Sequence, residues 1–397
     1  MARGAPGVWI RLIAVLLSGR TIPEPQAIVH PEDKLPRFNP VPDAVAVRCL
    51  TSRRTSQMFD GVAWLDLHYR RDGLYLPRLD LWLDAHTPIN GTGRVFVSHA
   101  HADHTARHRE VVLTAPTAKL MHARLGGRRV EQVLNYREPR TFDGPGHPFR
   151  LTLLPAGHVL GSAMAWIEAA GETLLYTGDF KLRPGLSAEP CEPRPADVLV
   201  METTFGRPQY RFPPTAAVVS GIVRFCRETI AEGQTAVLLG YSLGKSQELL
   251  CRLADVGLPL VLHSQVQKLT AVYASCGVVF PPYEPFAPGI TRGKVVVCSP
   301  QAATPSWRQS VGPARVALLS GWAVDAAARF RARADAAFPL SDHADFDDLL
   351  RLVELVRPRL VWTLHGFALN FARVLRDRGY DARALGEVEQ LELKLET

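Results

Sequence analysis

Ser98-His99-Ala100-His101-Ala102-Asp103-His104 sets three imidazoles and a carboxylate directly behind the apolar run Arg94-Val95-Phe96-Val97. Such a run reads as a short buried strand, which puts the histidines on the loop at its carboxyl end and lets a helix start from Ala106. His99 and His101, with one residue between them, can turn towards a single ion. Asp103 and His104, further along a tightening turn, can face a second ion nearby. Neutral imidazole and carboxylate are ordinary Zn²⁺ donors. A lone histidine here would be read as a solvated polar side chain; this spacing behind a buried strand is read as a metal loop.

Upstream, residues 62–84 carry strand-like patterning. Leu65, Leu67 and Tyr69 alternate, then come Leu74-Tyr75-Leu76 and Leu81-Trp82-Leu83, read as antiparallel strands opening a sheet, with Asp84 at the end of the third run. Downstream, Val111-Val112-Leu113 is a further strand and 115–125 a helix stopped by Gly126-Gly127. Residues 151–155 lead into Ala156-Gly157-His158-Val159-Leu160-Gly161-Ser162, where His158 sits among small residues at a strand end and can reach across to another loop. The strand 172–176 delivers Thr177-Gly178-Asp179-Phe180, with Gly178 permitting close backbone approach, and Val198-Leu199-Val200-Met201 delivers Glu202. Beyond Gly206, helices at 216–232, 245–256 and 267–276 alternate with strands at 235–240, 260–263, 294–299 and 315–320. That rhythm predicts a doubly wound α/β domain with a mainly parallel sheet, inserted into the first domain.

The chain has 397 residues, 47% of them apolar, with mean hydropathy near zero, enough to bury one large or two medium cores in a globular protein of two domains. Its net charge of +7, carried mostly by Arg, suits an anionic partner such as nucleic acid and is also what a GC-rich genome produces. The cysteines (Cys49, Cys191, Cys226, Cys251, Cys276, Cys298) show no CxxC spacing and mostly lie in apolar segments, the pattern of reduced core thiols in a cytosolic protein. Residues 8–18 are apolar but broken by Arg11, too short for a membrane span and a poor secretory core. Residues 21–43 are rich in Pro and charge, so 1–57 are expected to be a flexible extension, with Met58 close to a natural start. Gly240-Tyr241-Ser242-Leu243-Gly244-Lys245-Ser246 looks like a nucleotide-binding P-loop, but it has three residues between its glycines where that motif needs four. It is read as a packing turn first, and as an anion site built from free N–H groups and Lys245 second.

The HxHxDH loop at 99–104 resembles the second motif of the metallo-β-lactamase fold hydrolases. Asp84 is similar to the first motif of that family, an Asp supporting the metal loop from behind; the stretch around His158 resembles the third, and Thr177-Gly178-Asp179 the fourth. An α/β cap placed between the fourth motif and a final histidine resembles the β-CASP nucleases, which act on DNA or RNA. Their three further motifs are matched by Glu202 after a strand, by His343 in Leu340-Ser341-Asp342-His343, and by His365 in Val361-Trp362-Thr363-Leu364-His365 after a last strand. The resemblance runs over roughly 60–397 and looks most like the compact bacterial ligase-associated DNA exonucleases or mRNA 3′-end processing factor homologues. It implies an αββα metallo-β-lactamase sandwich at 58–206 and 336–397 with a doubly wound β-CASP cap at 207–335.

The same resemblance implies two Zn²⁺ ions, one held by His99, His101 and His158, the other by Asp103, His104 and His365, with Asp179 bridging them. Mn²⁺ could occupy the same donors. Paired ions can polarise a phosphate and leave net positive charge for a phosphodiester. His343 is expected beside the phosphate as hydrogen-bond donor or general acid, kept oriented and charged by Glu202. The implied activity is a zinc-dependent exonuclease in DNA repair or RNA processing, on single-stranded DNA or RNA threading a cleft between cap and metal domain. Lys245, Arg207 and Arg211 are candidate strand contacts, an ATP-dependent DNA ligase a candidate partner, and the cytoplasm the expected compartment, with no membrane involved. His86, His108, His122, His147 and His263 are read as surface or core residues. Two rivals stay open. A small-molecule hydrolase of the same fold, acting on a thioester or lactam, needs neither the cap nor His343; a non-catalytic scaffold subunit would not need the full ligand set.

Overall fold

The structure is a computed structural model, in which residues 67–386 other than 71, 90 and 92 are described. The expectations for 1–57 and for Leu65 lie outside them. The first sheet takes its strands in chain order: β1 (His68–Arg70), β2 (Gly73–Leu76), β3 (Leu81–Leu83), β4 (Arg94–Phe96), β5 (Glu110–Leu113) and β6 (Val130–Val133). The first three are antiparallel neighbours, as their alternation predicts, and β3 to β6 run parallel. Helix α1 (Ala115–Leu125) joins β5 to β6; Thr114 caps it by accepting from the Thr117 N–H, and Gly126 ends it at φ 60°. The helix expected from Ala106 does not form. Thr105 Oγ1 donates to the His101 carbonyl at 3.2 Å and His108 Nε2 to the Ala85 carbonyl at 2.8 Å, which holds 105–109 against the neighbouring loops instead of in a helical turn.

The second sheet opens with β7 (Arg140–Phe142), β8 (Phe149–Pro155), β9 (Ala163–Ala169), β10 (Glu172–Tyr176) and β11 (Val198–Glu202). The chain then builds a third sheet and its helices: α2 (Thr215–Ala231), β12 (Thr235–Leu239), α3 (Lys245–Arg252), β13 (Leu260–Leu262), α4 (Ser264–Ser275), β14 (Tyr283–Pro285), β15 (Val295–Cys298), α5 (Pro305–Val311), β16 (Ala314–Leu319), α6 (Ala327–Arg331) and β17 (Ala336–Phe338). All its pairings are parallel, in the order β14-β13-β15-β12-β16-β17. β17 pairs with β16, so this sheet reaches Phe338, past the expected boundary at 335. Helix α3 stops at Arg252, short of the expected 256, in a series of turns. The chain returns through α7 (Phe346–Val356), β18 (Leu360–Leu364), α8 (Ala368–Arg376) and β19 (Ala382–Ala384), which complete the second sheet beside β11; β18 is therefore not the last strand.

Side-chain alternation explains the layers. Leu83 and Phe96 point into the core between the first two sheets, where they meet Leu151, Leu153, Leu174, Tyr176, Val198, Val200 and Trp362. Their neighbours Trp82 and Val95 face α1 on the outer side, and Leu154, Leu175, Leu199 and Val361 face α7 and α8 on the other. Both faces of each sheet are covered, which is why the strands read as unbroken apolar runs. The inserted sheet repeats this, with Leu238 and Val297 facing α2 and α3 while Val237 and Val296 face the α5 side. Its α4 docks on α1: Tyr273 is fully buried there, and its hydroxyl accepts from the Leu160 N–H at 3.2 Å.

Strand direction then places the loops. β8 is antiparallel to β9 and β9 to β10, so β8 runs with β10, β11 and β18. The segments carrying His158, Asp179, Glu202 and His365 therefore leave the second sheet at one edge. Among the described residues no helix is long and apolar enough to cross a membrane.

Candidate metal centre

At that edge His99, His101, His158 and Asp179 each offer a ligand atom, all within 4.8 Å of one another. His99 Nε2 lies 3.0 Å from His101 Nδ1, and His158 Nε2 lies 3.1 Å from the same atom. Asp179 Oδ2 is 3.5 Å from His99 Nε2 and 3.7 Å from His158 Nε2. Gly178, at φ 53°, makes room: a Cβ on it would stand 2.5 Å from the Ser98 Cβ.

The outer ring nitrogens reveal what the inner ones carry. His101 Nε2 faces the Leu243 carbonyl at 3.2 Å and His158 Nδ1 the Asp342 carbonyl at 2.9 Å. A carbonyl only accepts, so both of those nitrogens bear hydrogen. Ser98 Oγ donates to Asp84 Oδ2 at 2.5 Å, so it accepts from His99 Nδ1 at 3.0 Å. Burial holds all three rings below the usual imidazole range, hence neutral. Three lone pairs thus converge at close range with a carboxylate beside them, an arrangement that repels itself unless a cation sits among them. The residues present fit a metal.

The second expected set is more open. His104 Nε2 lies 3.4 Å from Asp179 Oδ2 and 3.8 Å from Asp103 Oδ2, while the Asp103 side chain is largely exposed. The His365 ring centre is 5.8 Å from that of His104, and His365 takes φ 58°. Burial opposes charge on His104, yet Asp179, Asp84 and Asp103 together hold its pKa well above the ordinary value. Negative charge therefore gathers on this side. Asp179 itself is held well below the carboxylate range: burial would raise it, and His104 and His343 prevail.

Asp84 ties these loops together. Its Oδ1 accepts from the Ser98 N–H at 2.7 Å, and its Oδ2 from Ser98 Oγ, from Tyr176 Oη at 2.8 Å and from His104 Nδ1 at 2.8 Å. Its backbone takes φ 48°, a conformation uncommon outside glycine, and these bonds hold it. His343 lies beside the cluster, its Nδ1 3.0 Å from Glu202 Oε1 and 4.0 Å from Asp179 Oδ2. Glu202 is buried and also accepts from the Phe180 N–H at 3.0 Å and from Thr204 Oγ1 at 2.5 Å, so its oxygens are engaged in orienting the imidazole. Burial alone would lower the His343 pKa; Glu202 and Asp179 raise it to about 9.

The remaining candidates make other contacts. Lys245 is buried and its Nζ lies 3.3 Å from Asp342 Oδ2. Arg207 lies over the Phe367 ring at 4.0 Å and donates to Asn370 at 3.1 Å, and exposed Arg211 pairs with Asp347 at 2.9 Å. His108 is buried, His86, His122 and His147 are exposed, and His263 caps α4. The sequence reading missed Ser98 and Tyr176 as partners of Asp84, and the Leu243 and Asp342 carbonyls that set two imidazoles. Ser98 adjoins the motif and was within reach; a carbonyl carries no residue signal. The described cysteines are all free thiols.

Residues 92–211 match the family described as metallo-beta-lactamase superfamily. The chain is 53% identical over 322 residues to "Probable DNA ligase" of Opitutus terrae, covering 81% of this chain and 31% of that protein. It is 28% identical to "RNase J-like protein" of Methanocaldococcus jannaschii over 46% of this chain and 49% of that one, and 34% identical to "5' exonuclease Apollo" of Gallus gallus over 41% and 36%. The chain thus spans from about a third to a half of the length of these curated relatives. With matching motifs at its loops, a β sandwich between helical layers and an inserted parallel α/β cap, the chain carries a metallo-beta-lactamase superfamily domain with a cap insertion of the β-CASP kind.

Proposed function

We propose that the protein is a metal-dependent hydrolase of nucleic-acid phosphodiester bonds, an exonuclease acting on single-stranded DNA or RNA. The observation that carries this reading is the convergence of neutral His99, His101 and His158 on Asp179, with a separately held His343–Glu202 pair alongside. The names of the relatives and the net charge of +7 support a polyanionic substrate, and the extent of identity with a protein named as a probable DNA ligase supports DNA ends, processed in the cytoplasm alongside a ligase.

In this reading His99, His101 and His158 would hold one Zn²⁺ and Asp103, His104 and His365 a second, with Asp179 as a ligand shared by the two sets, and Mn²⁺ would be accepted by the same donors. Bound there, the ions supply Lewis acidity and lower the pKa of water. Asp84, through Ser98 and His104, keeps the ligand rings in the tautomers that present lone pairs inward. His343 donates Nδ1–H to Glu202, which leaves its Nε2 to carry a proton to the departing oxygen. Lys245, Arg207 and Arg211 would act on a strand only after leaving the partners they hold here.

The test is a gel assay of the protein with zinc or manganese, beside Asp179→Ala, on 5′- and 3′-labelled single-stranded DNA and RNA of one sequence. Cleavage by the wild type and none by the variant supports the reading, and the labelled products give polymer and direction. A protein that carries its metals and cuts neither polymer would sink it, leaving a small-molecule hydrolase.

A further inference from the structure

The turn that looks like a P-loop, with the first turn of α3 behind it, meets three of the loops that carry the candidate ligands. His101 Nε2 donates to the Leu243 carbonyl at 3.2 Å, and Gly244, at φ 86°, presses so closely on the His158 loop that a Cβ would stand 2.3 Å from Val159 Cγ1. Glu248 accepts from the Leu186 N–H at 2.8 Å and from the Ser187 N–H and Oγ at 3.1 Å each, on the segment that follows Asp179. Between these contacts stands Lys245, 3% exposed, with its Nζ 3.3 Å from Oδ2 of Asp342, which is 3% exposed as well. A Cβ on Gly244, the residue that starts α3, would come within 3.8 Å of the same oxygen, so the carboxylate stands at the amino end of the helix, where backbone N–H groups also favour negative charge. A buried ion pair adds little net stability, because both charges give up their water; its best-attested use is to fix the register of the parts it joins.

The part joined here is the turn 341–343. The His343 N–H donates to Ser341 Oγ at 3.1 Å, so Asp342 and His343 move together. That turn supplies the site twice: the Asp342 carbonyl accepts from His158 Nδ1 at 2.9 Å, and His343 Nδ1 lies 3.0 Å from Glu202 Oε1. We propose that Lys245, a residue of the inserted domain, is a positioning residue of the metal centre, holding the Asp342 side chain so that His158 and His343 are presented together. The inference rests on the ligand set proposed above. His158 offers Nε2 to an ion only while Nδ1 carries the hydrogen, and the Asp342 carbonyl is what keeps it there. A turn released from Lys245 lets that acceptor drift, and part of the population must then change tautomer before a metal binds. The same release slackens His343 against Glu202. An ammonium engaged in this way serves the ligands and not a phosphate of the strand.

The experiment measures the zinc affinity of the full-length protein by competition with a chromogenic chelator, for wild type, Lys245→Met and Glu248→Gln. Lys245→Met is expected to bind zinc about 10- to 100-fold more weakly, and to lose kcat on a single strand while KM stays near the wild-type value. Glu248→Gln loosens the same helix away from His158 and is expected to keep its zinc affinity. Equal weakening in both variants would make Lys245 a general fastener of the two domains and overturns the proposal. Unchanged zinc affinity in Lys245→Met overturns it too, and a raised KM alongside would make the residue a strand contact. If the uncompensated Asp342 keeps Lys245→Met from folding, the double variant Lys245→Met/Asp342→Asn removes both charges and decides: a zinc affinity reduced by the same factor is expected, and wild-type affinity refutes the positioning role. A wild type that holds zinc and cuts no strand sinks the nuclease reading, while the zinc comparison still judges Lys245.

Discussion

His99, His101 and His158 come from two loops, and each has its outer nitrogen tied, to Ser98, to Leu243 and to Asp342, so their lone pairs are aimed before any ion arrives. Asp103, His104 and His365 are built otherwise: His104 is held by Asp84, Asp103 is mostly in water, and the His365 ring stands further off. In the two-metal reading proposed above, one position would find its ligands already ordered and the other would not. The cost of ordering ligands falls on binding where they are not already ordered, so the two positions should differ in affinity, with the His99 side filling first.

The comparison is most severely tested at Asp179, which faces both halves. Asp179→Ala is expected to lose both ions and all detectable turnover; a variant that still carries two ions per chain by elemental analysis breaks the shared-ligand assignment. His343→Ala should keep its metal and lose turnover by about 10²- to 10⁴-fold, as expected for removal of a proton donor; loss of metal along with activity would move His343 into the ligand set. Asp84→Asn, by loosening the support of both loops, should weaken metal affinity about 10- to 100-fold, read by competition with a chromogenic chelator. His365→Ala should leave one ion per chain after dialysis, and His101→Ala should disturb the tighter site, so equal retention in both variants would erase the asymmetry. The smallest effect belongs to Tyr176→Phe, which removes one donor to Asp84 and should cost about 1 kcal/mol of stability, measured by denaturant unfolding of the holoprotein.

Much of this was legible in the chain. Strands β2, β3, β4, β5, β10 and β11 stand where their apolar runs put them, and α1 has its expected ends, because Thr114 and Gly126 punctuate it. β9 was not legible: Ala163–Ala169 is rich in alanine, and it becomes a strand because β8 and β10 pair with it on both sides. β17 and β19 are three-residue additions that exist only through a neighbour. Ala106 read as a helix start until the pull of the Ala85 carbonyl on His108 was visible.

The site divides in the same way. Residue type and spacing singled out the loop at His99–His104, and the resemblance to known motifs added His158, Asp179, Glu202, His343 and His365, because metal binding and proton transfer need particular functional groups, and those are written in the side chains. Which nitrogen of His101 and of His158 faces inward, and that Lys245 lies buried against Asp342, was decided by carbonyls and packing between segments about a hundred residues or more apart. Every residue has a carbonyl, so no pattern in the chain marks the few that matter; only the folded arrangement of β12, β8 and the loop after β17 brings them to the rings they orient.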